Sequence, residues 1–237
     1  MRRIANTFII IALTTGSAVA EPALQDKTLV AWAAPANLTQ RGGSVLTISG
    51  KADFSAPFDG IVFGEVSPAK WMAGSENWKR SQKAQENWSS EKAGSDRFVQ
   101  IAIVYRGGEV TTYRDGKEYS SYTGKAQQPF GPESVVVIGP RHPGAKNFFA
   151  GAIDDARIYD SALTAEQLAE LKPNEPSEIK PWAWWTFDDT ACTDRAGRFA
   201  SIQLADGAKV EDGRLLLDGK KAAFYAARSV GATIVPV

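Results

Sequence analysis

Short apolar runs separated by turn residues dominate the chain. The strongest is Phe98 to Tyr105, whose near-continuous apolar character predicts a central buried strand. Gly107-Gly108 then turns the chain into Glu109–Tyr113, and Asp115-Gly116 turns it again into Lys117–Tyr119. Both dipeptides tolerate the positive φ of primed hairpin turns, so this stretch predicts a three-stranded meander. Ser44–Ile48, Gly60–Phe63 and Ser134–Ile138 are further short strands. Strands at this spacing with a single clear helix predict an all-β fold, an antiparallel two-sheet sandwich.

The pattern changes period between Phe149 and Leu171. Ile153, Ile158 and Tyr159 favour a strand, closed by Asp160-Ser161. Thr164 then offers an N-cap, with Gln167 three residues on as in a capping box, and Leu163 and Leu168 stand at the positions of a hydrophobic staple. Pro173 forbids continuation, so the helix has about two turns and must dock on an apolar surface to persist.

Residues 172–181 hold three prolines among charges and predict a surface linker. Beyond it, Trp182–Asp189 and Gly213–Lys220 read as more strand material, with Asp194–Gly197 between them. Either a second, truncated sandwich starts at Trp182, or residues 182–226 return to complete the first as a circular permutation. The second reading is preferred, because residues 28–171 alone leave sheet edges open.

Three stretches resemble LamG-like, concanavalin A-like jelly-roll domains. They are Gly151–Leu168 (GAIDDARIYDSALTAEQL), the Trp-then-Pro strand Thr28–Leu38, and the Tyr-Arg-Asp-Gly-Lys hairpin in Val110–Tyr119. The resemblance implies a jelly roll over residues 24–171. Residues 182–220 resemble the family's opening strands, which ordinarily precede the strand of Trp32. Such domains often accompany secreted glycoside hydrolases, and this combination resembles the N-terminal accessory region of the β-fructosidase kind. The resemblance implies a non-catalytic, lectin-like module that binds a polysaccharide or other glycan. The alternatives are a cell-surface protein–protein adhesion module, or a fragment of a fructan hydrolase lacking its catalytic domain. A glycosidase needs two positioned carboxylates. Neither a Glu-x-Asp-x-x-Glu strand nor the β-fructosidase motifs (Trp-x-Asn-Asp-Pro, Arg-Asp-Pro, Glu-Cys) occur in the chain, so no enzyme is expected.

Composition narrows the compartment and the partners. Arg2 and Arg3, the apolar run Ile4–Leu13 and Ala18-Val-Ala20 form a secretory signal peptide over residues 1–20. Its apolar run is too short to span a bilayer. A secreted or periplasmic monomer, free of the membrane after cleavage, is expected. The 27 basic and 27 acidic side chains leave no basic excess for nucleic acid. The one cysteine, Cys192, excludes an intramolecular disulfide and reads as a small loop residue.

The candidate ligand-binding residues are Trp71, Asn77, Trp78 and Trp88, in an Asn/Gln/Lys-rich insertion, with Arg141 and His142 in a Gly/Pro loop. Aromatic faces stack on the C–H faces of sugars, while amides and charges bond the hydroxyls. The competing reading makes the insertion an amphipathic helix packed through its Trp residues, and His142 a simple exposed loop residue. The acid pairs Asp154-Asp155 and Asp188-Asp189 could touch calcium. However, neighbours on a strand face opposite ways, so a carboxylate bonding Arg157 or a loop amide is the better reading. No cofactor is expected beyond that calcium option.

Overall fold

The computed structural model describes residues 23–200 and 204–228, so the signal peptide read over residues 1–20 lies outside the described residues. In chain order the strands are β1 (Lys27–Pro35), β2 (Gly43–Ser49), β3 (Phe58–Phe63), β4 (Trp71–Ser75), β5 (Val99–Arg106), β6 (Glu109–Arg114), β7 (Lys117–Thr123), β8 (Val135–Gly139) and β9 (Ala150–Tyr159). The helix α1 (Ala165–Glu170) follows. Then come β10 (Ala183–Trp185), β11 (Phe199–Ala200), β12 (Leu204–Ala205), β13 (Lys209–Glu211), β14 (Arg214–Asp218) and β15 (Ala223–Arg228).

All pairings are antiparallel and form two sheets, a jelly-roll sandwich of the concanavalin A-like kind. The first runs β13-β14-β9-β1-β5-β6-β7, with β10 also on β9; the second runs β11-β15-β8-β2-β3-β4, with β12 also on β15. The strands after the Pro-rich segment therefore join both sheets, β14 and β10 along β9 and β15 along β8. They also bring half of the aromatic core. Trp182, Trp185, Phe187, Phe199 and Phe224 interlock at one end, while Phe63, Trp71 and Phe149 fill the other.

The predicted meander is β5-β6-β7, with left-handed Gly107, Gly108, Asp115 and Gly116 at its turns. Helix α1 carries the expected capping box between Thr164 and Gln167. Leu163 and Leu168 are both buried, and with Val30, Trp32, Val104 and Tyr159 they form a second cluster on the outer face of the first sheet. The Gln100 amide donates to the Leu168 carbonyl at 2.8 Å and fixes the end of the helix.

The insertion after β4 differs from the helical expectation. Only a short 3-10 turn, Glu76–Trp78, forms, and Asn77 and Trp78 are both left-handed, at φ 48° and 59°. The chain then runs without regular structure from β4, the edge of the second sheet, toward β7, the edge of the first. The Tyr119 hydroxyl donates to the Ser89 carbonyl, and the Tyr122 hydroxyl to the Arg80 carbonyl at 3.0 Å. The insertion thus covers both open edges at one side of the sandwich, where bare strands would otherwise invite pairing with other chains.

A buried ionic network ties the two sheets together below it. Lys27 of β1 meets Asp59 of β3 at 2.9 Å, and Asp59 receives Arg80 at 2.6 Å. Arg80 also meets Glu76 at 2.5 Å. Removing one member of such a set leaves an uncompensated buried charge.

Candidate functional site

The residues singled out from the sequence separate into three places. Trp71 lies in the core with no exposed surface, against Phe63 and Phe149, and its indole N–H donates to Glu91 at 2.9 Å. This corrects its placement on a ligand surface: β4 turns it inward because alternate residues of that strand face the other sheet. Trp88 is half-buried against Tyr119 and Tyr122 of β7, where it shields the sheet edge.

The other four gather at one corner. Asn77 is exposed and Trp78 half-exposed. Lys83 sits 4.5 Å and Arg141 5.5 Å from the Trp78 ring centre. Arg141 also lies over Phe58 and donates from Nε to Glu65 at 2.9 Å. Two cations thus already cover the indole, and cation–π attraction of this kind competes with a sugar for the ring. His142 corrects the expectation of an exposed loop residue. It is 7% exposed, wedged between Phe54 and Phe58 at centroid distances of 4.9 and 4.7 Å. Burial lowers its pKa below the ordinary histidine value, Arg141 adds to that, and the Nδ1–H donates to the Pro143 carbonyl.

The packing around His142 exposes a residue that sequence reading missed. Phe54 is 68% exposed, the one exposed large hydrophobic among the described residues. It stands on the His142 ring and against Gly144, whose φ of +73° lets the loop pass beneath it. Phe54 borders an open cleft of about 910 Å³, which Phe148, Tyr225, Lys146, Lys220 and Lys221 also line. Asp53 and Asp206 add two carboxylates. Tyr225 comes from β15 and Phe148 from the loop between β8 and β9, so the cleft needs the strands after the Pro-rich segment. None of the residues chosen from sequence lines it. The available signal was a lone Phe in a polar loop, Lys51–Pro57, which sequence alone does not separate from a buried one.

Of the two acid pairs, Asp155 is bonded into the scaffold. Asp155 accepts two bonds from Arg157 at 2.8 Å, one from the Trp184 indole at 2.9 Å and one from the Asn174 amide at 2.7 Å. A bulge between the partners of Trp32 and Ala33 falls at Asp154, so the strict alternation assumed for this pair is broken there. Asp188 pairs with Arg195 at 2.6 Å. Among the described residues no group of three or more His, Cys, Asp or Glu side chains is arranged to hold a metal ion. Cys192 is buried, and burial pushes its thiol up to about 11, away from nucleophilic character.

A laminin G family model, described as the Concanavalin A-like lectin/glucanases superfamily, matches residues 12–169. The chain belongs to this superfamily. Among solved structures, this superfamily member is similar to a candidate carbohydrate-binding protein of Bacteroides ovatus, at TM-score 0.55 and 14% identity over 91% of this chain and 54% of that one. The chain therefore spans about half the length of that structure. Domain 4 of the Geobacillus stearothermophilus GH43 extracellular arabinanase AbnA, in complex with arabinotriose, matches at TM-score 0.47 and 21% identity, over 63% of this chain and 67% of that one. The Ruminococcus gnavus IT-sialidase CBM40 bound to sialyllactose matches at TM-score 0.44 and 12% identity, over 62% and 82%. No curated protein matches the sequence. No helix among the described residues is long and apolar enough to cross a membrane.

Proposed function

We propose that the chain is a secreted, monomeric, non-catalytic carbohydrate-binding module whose ligand lies in the cleft beside Phe54. The observation that carries this reading is Phe54 itself. An aromatic ring packed on His142 yet held in solvent at the mouth of an open cleft loses hydrophobic stabilisation, and a ligand face recovers it. Tyr225 and Phe148 offer further ring surface, and Asp206 offers acceptors for hydroxyl groups. Asn77, Trp78 and Arg141 extend the surface past His142, which acts as the support of Phe54. This reading gives the chain the role that the description of the Bacteroides ovatus protein names. In it, residues 1–20 direct export, and the module anchors a polysaccharide-degrading hydrolase on its substrate.

A glycan array probed with residues 21–237, with and without calcium, tests the reading. The expected result is binding to at least one glycan class, weakened about tenfold or more in Phe54→Ala, as for loss of a central aromatic anchor. Phe54→Ala should fold normally, because its ring is mostly in solvent. A folded protein that binds no glycan would overturn the proposal and favour a protein-adhesion module.

A further inference from the structure

Resting on the cleft as a sugar site, we infer that its ligand is an anionic polysaccharide, one whose sugars carry carboxylate or sulfate groups. Three lysines from two separate segments converge on the cleft: Lys146 from the loop between β8 and β9, and Lys220 and Lys221 from the turn between β14 and β15. All three are exposed. Their ammonium groups make no hydrogen bond or ion pair among the described residues. The neighbouring cations differ. Arg141 is paired with Glu65, and Lys51 with Asp53 at 3.7 Å.

The lysine pair is held by its backbone. Asp218 Oδ1 accepts from the amides of Lys220, Lys221 and Ala222 at 2.8, 3.1 and 3.0 Å. This fixes the turn that projects both side chains, and it engages the Asp218 oxygen on the protein. Of the two cleft carboxylates, Asp53 is similarly engaged, accepting from the Ser55 amide and hydroxyl at 2.7 and 2.6 Å. That leaves Asp206 as the one opposing acid without such a bond, against three lysines, in a chain whose charges otherwise balance. Flexible lysine stems carry compact charges that follow anionic groups at varied spacings along a polymer. Phe54 supplies the ring face that distinguishes a sugar from any other polyanion.

The test measures binding of residues 21–237 to polygalacturonate and dextran sulfate, to their neutral counterparts galactan and dextran, and to polyglutamate. Salt is varied from about 50 mM to about 500 mM, across which the screening length falls severalfold. The expected result is about tenfold tighter binding of at least one anionic polysaccharide than of its neutral counterpart, weakening as salt rises. The triple variant Lys146→Ala/Lys220→Ala/Lys221→Ala should lose that preference, and the corresponding triple Lys→Arg variant should keep it. Phe54→Ala should weaken the anionic polysaccharides but not polyglutamate. Equal binding of neutral and anionic polymers, unchanged in the triple alanine variant, would overturn the charge inference while leaving the sugar site standing. Polyglutamate binding as tightly as the sugars, with Phe54→Ala without effect, would overturn it in favour of a general cationic surface. Binding to none of the polymers, nor to any glycan on the array, would overturn both proposals.

Discussion

At the scale of single residues, Trp71 and Phe54 carry opposite burdens. Trp71 is sealed in the core and Phe54 is held in solvent, yet each is a single aromatic beside a charged residue in the sequence, Lys70 and Asp53. Trp71→Ala is expected to cost about 3–5 kcal/mol, as for large aromatic truncations in cores, read by denaturant unfolding. Its partner Glu91 is an acid-sensitive point. Burial alone would raise the Glu91 pKa, but Arg114, the Ala93 amide and the Trp71 indole all bond the carboxylate and hold it at about 2. A depressed carboxylate stabilises the fold above its ordinary pKa near 4.5 and loses that contribution as pH falls toward about 2. Stability should therefore decline between those two values by about 3 kcal/mol, and Glu91→Gln should flatten the decline in urea titrations run at several pH values. The candidate site was poorly legible at this scale. Spacing identified the aromatic-rich insertion, but solvent exposure depends on which strand face a residue takes, and that is set by the opposite sheet.

At the scale of elements, local rules succeeded wherever neighbouring residues decide the outcome. The Gly107-Gly108 and Asp115-Gly116 turns and the Thr164 cap need only a few adjacent residues, and all formed as expected. The stretch from Lys79 to Ala93 did not follow its helical spacing. Its conformation is set by distant partners: Glu91 by Arg114, Gln85 by Met72 and Lys70, Ser89 by Tyr119. The loop that carries Arg141, His142 and Lys146 depends on one glycine. A Cβ on Gly43 of β2 would lie 2.0 Å from the Phe149 amide nitrogen, a backbone atom that cannot swing aside. Gly43→Ala is expected to lower stability by about 1–3 kcal/mol or more. Because Phe149 closes the 140–148 loop, the same variant should also weaken glycan binding where it still folds. Differential scanning calorimetry, followed by titration with the best array glycan, reads both effects.

At the scale of the whole molecule, the order of strands matters more than their number. The family resemblance lay in local motifs, so the jelly roll could be read from the sequence; the return of the last strands was preferred only because open sheet edges called for it, and their long-range partners, β9 and β8, were not legible. Ending the chain after Pro181 would uncover the β14 and β10 side of β9 and the β15 side of β8, and would remove Trp185, Phe199 and Phe224 from the core. Such a truncated protein is expected to aggregate or lose cooperative unfolding in size-exclusion and thermal experiments. It would also lack Tyr225, Lys220 and Lys221, and with them one wall of the cleft. The most direct test of the central claim is a calorimetric titration of the intact protein and of Phe54→Ala with the strongest glycan found on the array. Loss of affinity of about tenfold or more in a variant of unchanged thermal stability is the predicted result. Equal affinity in both proteins would contradict the placement of the sugar site beside Phe54.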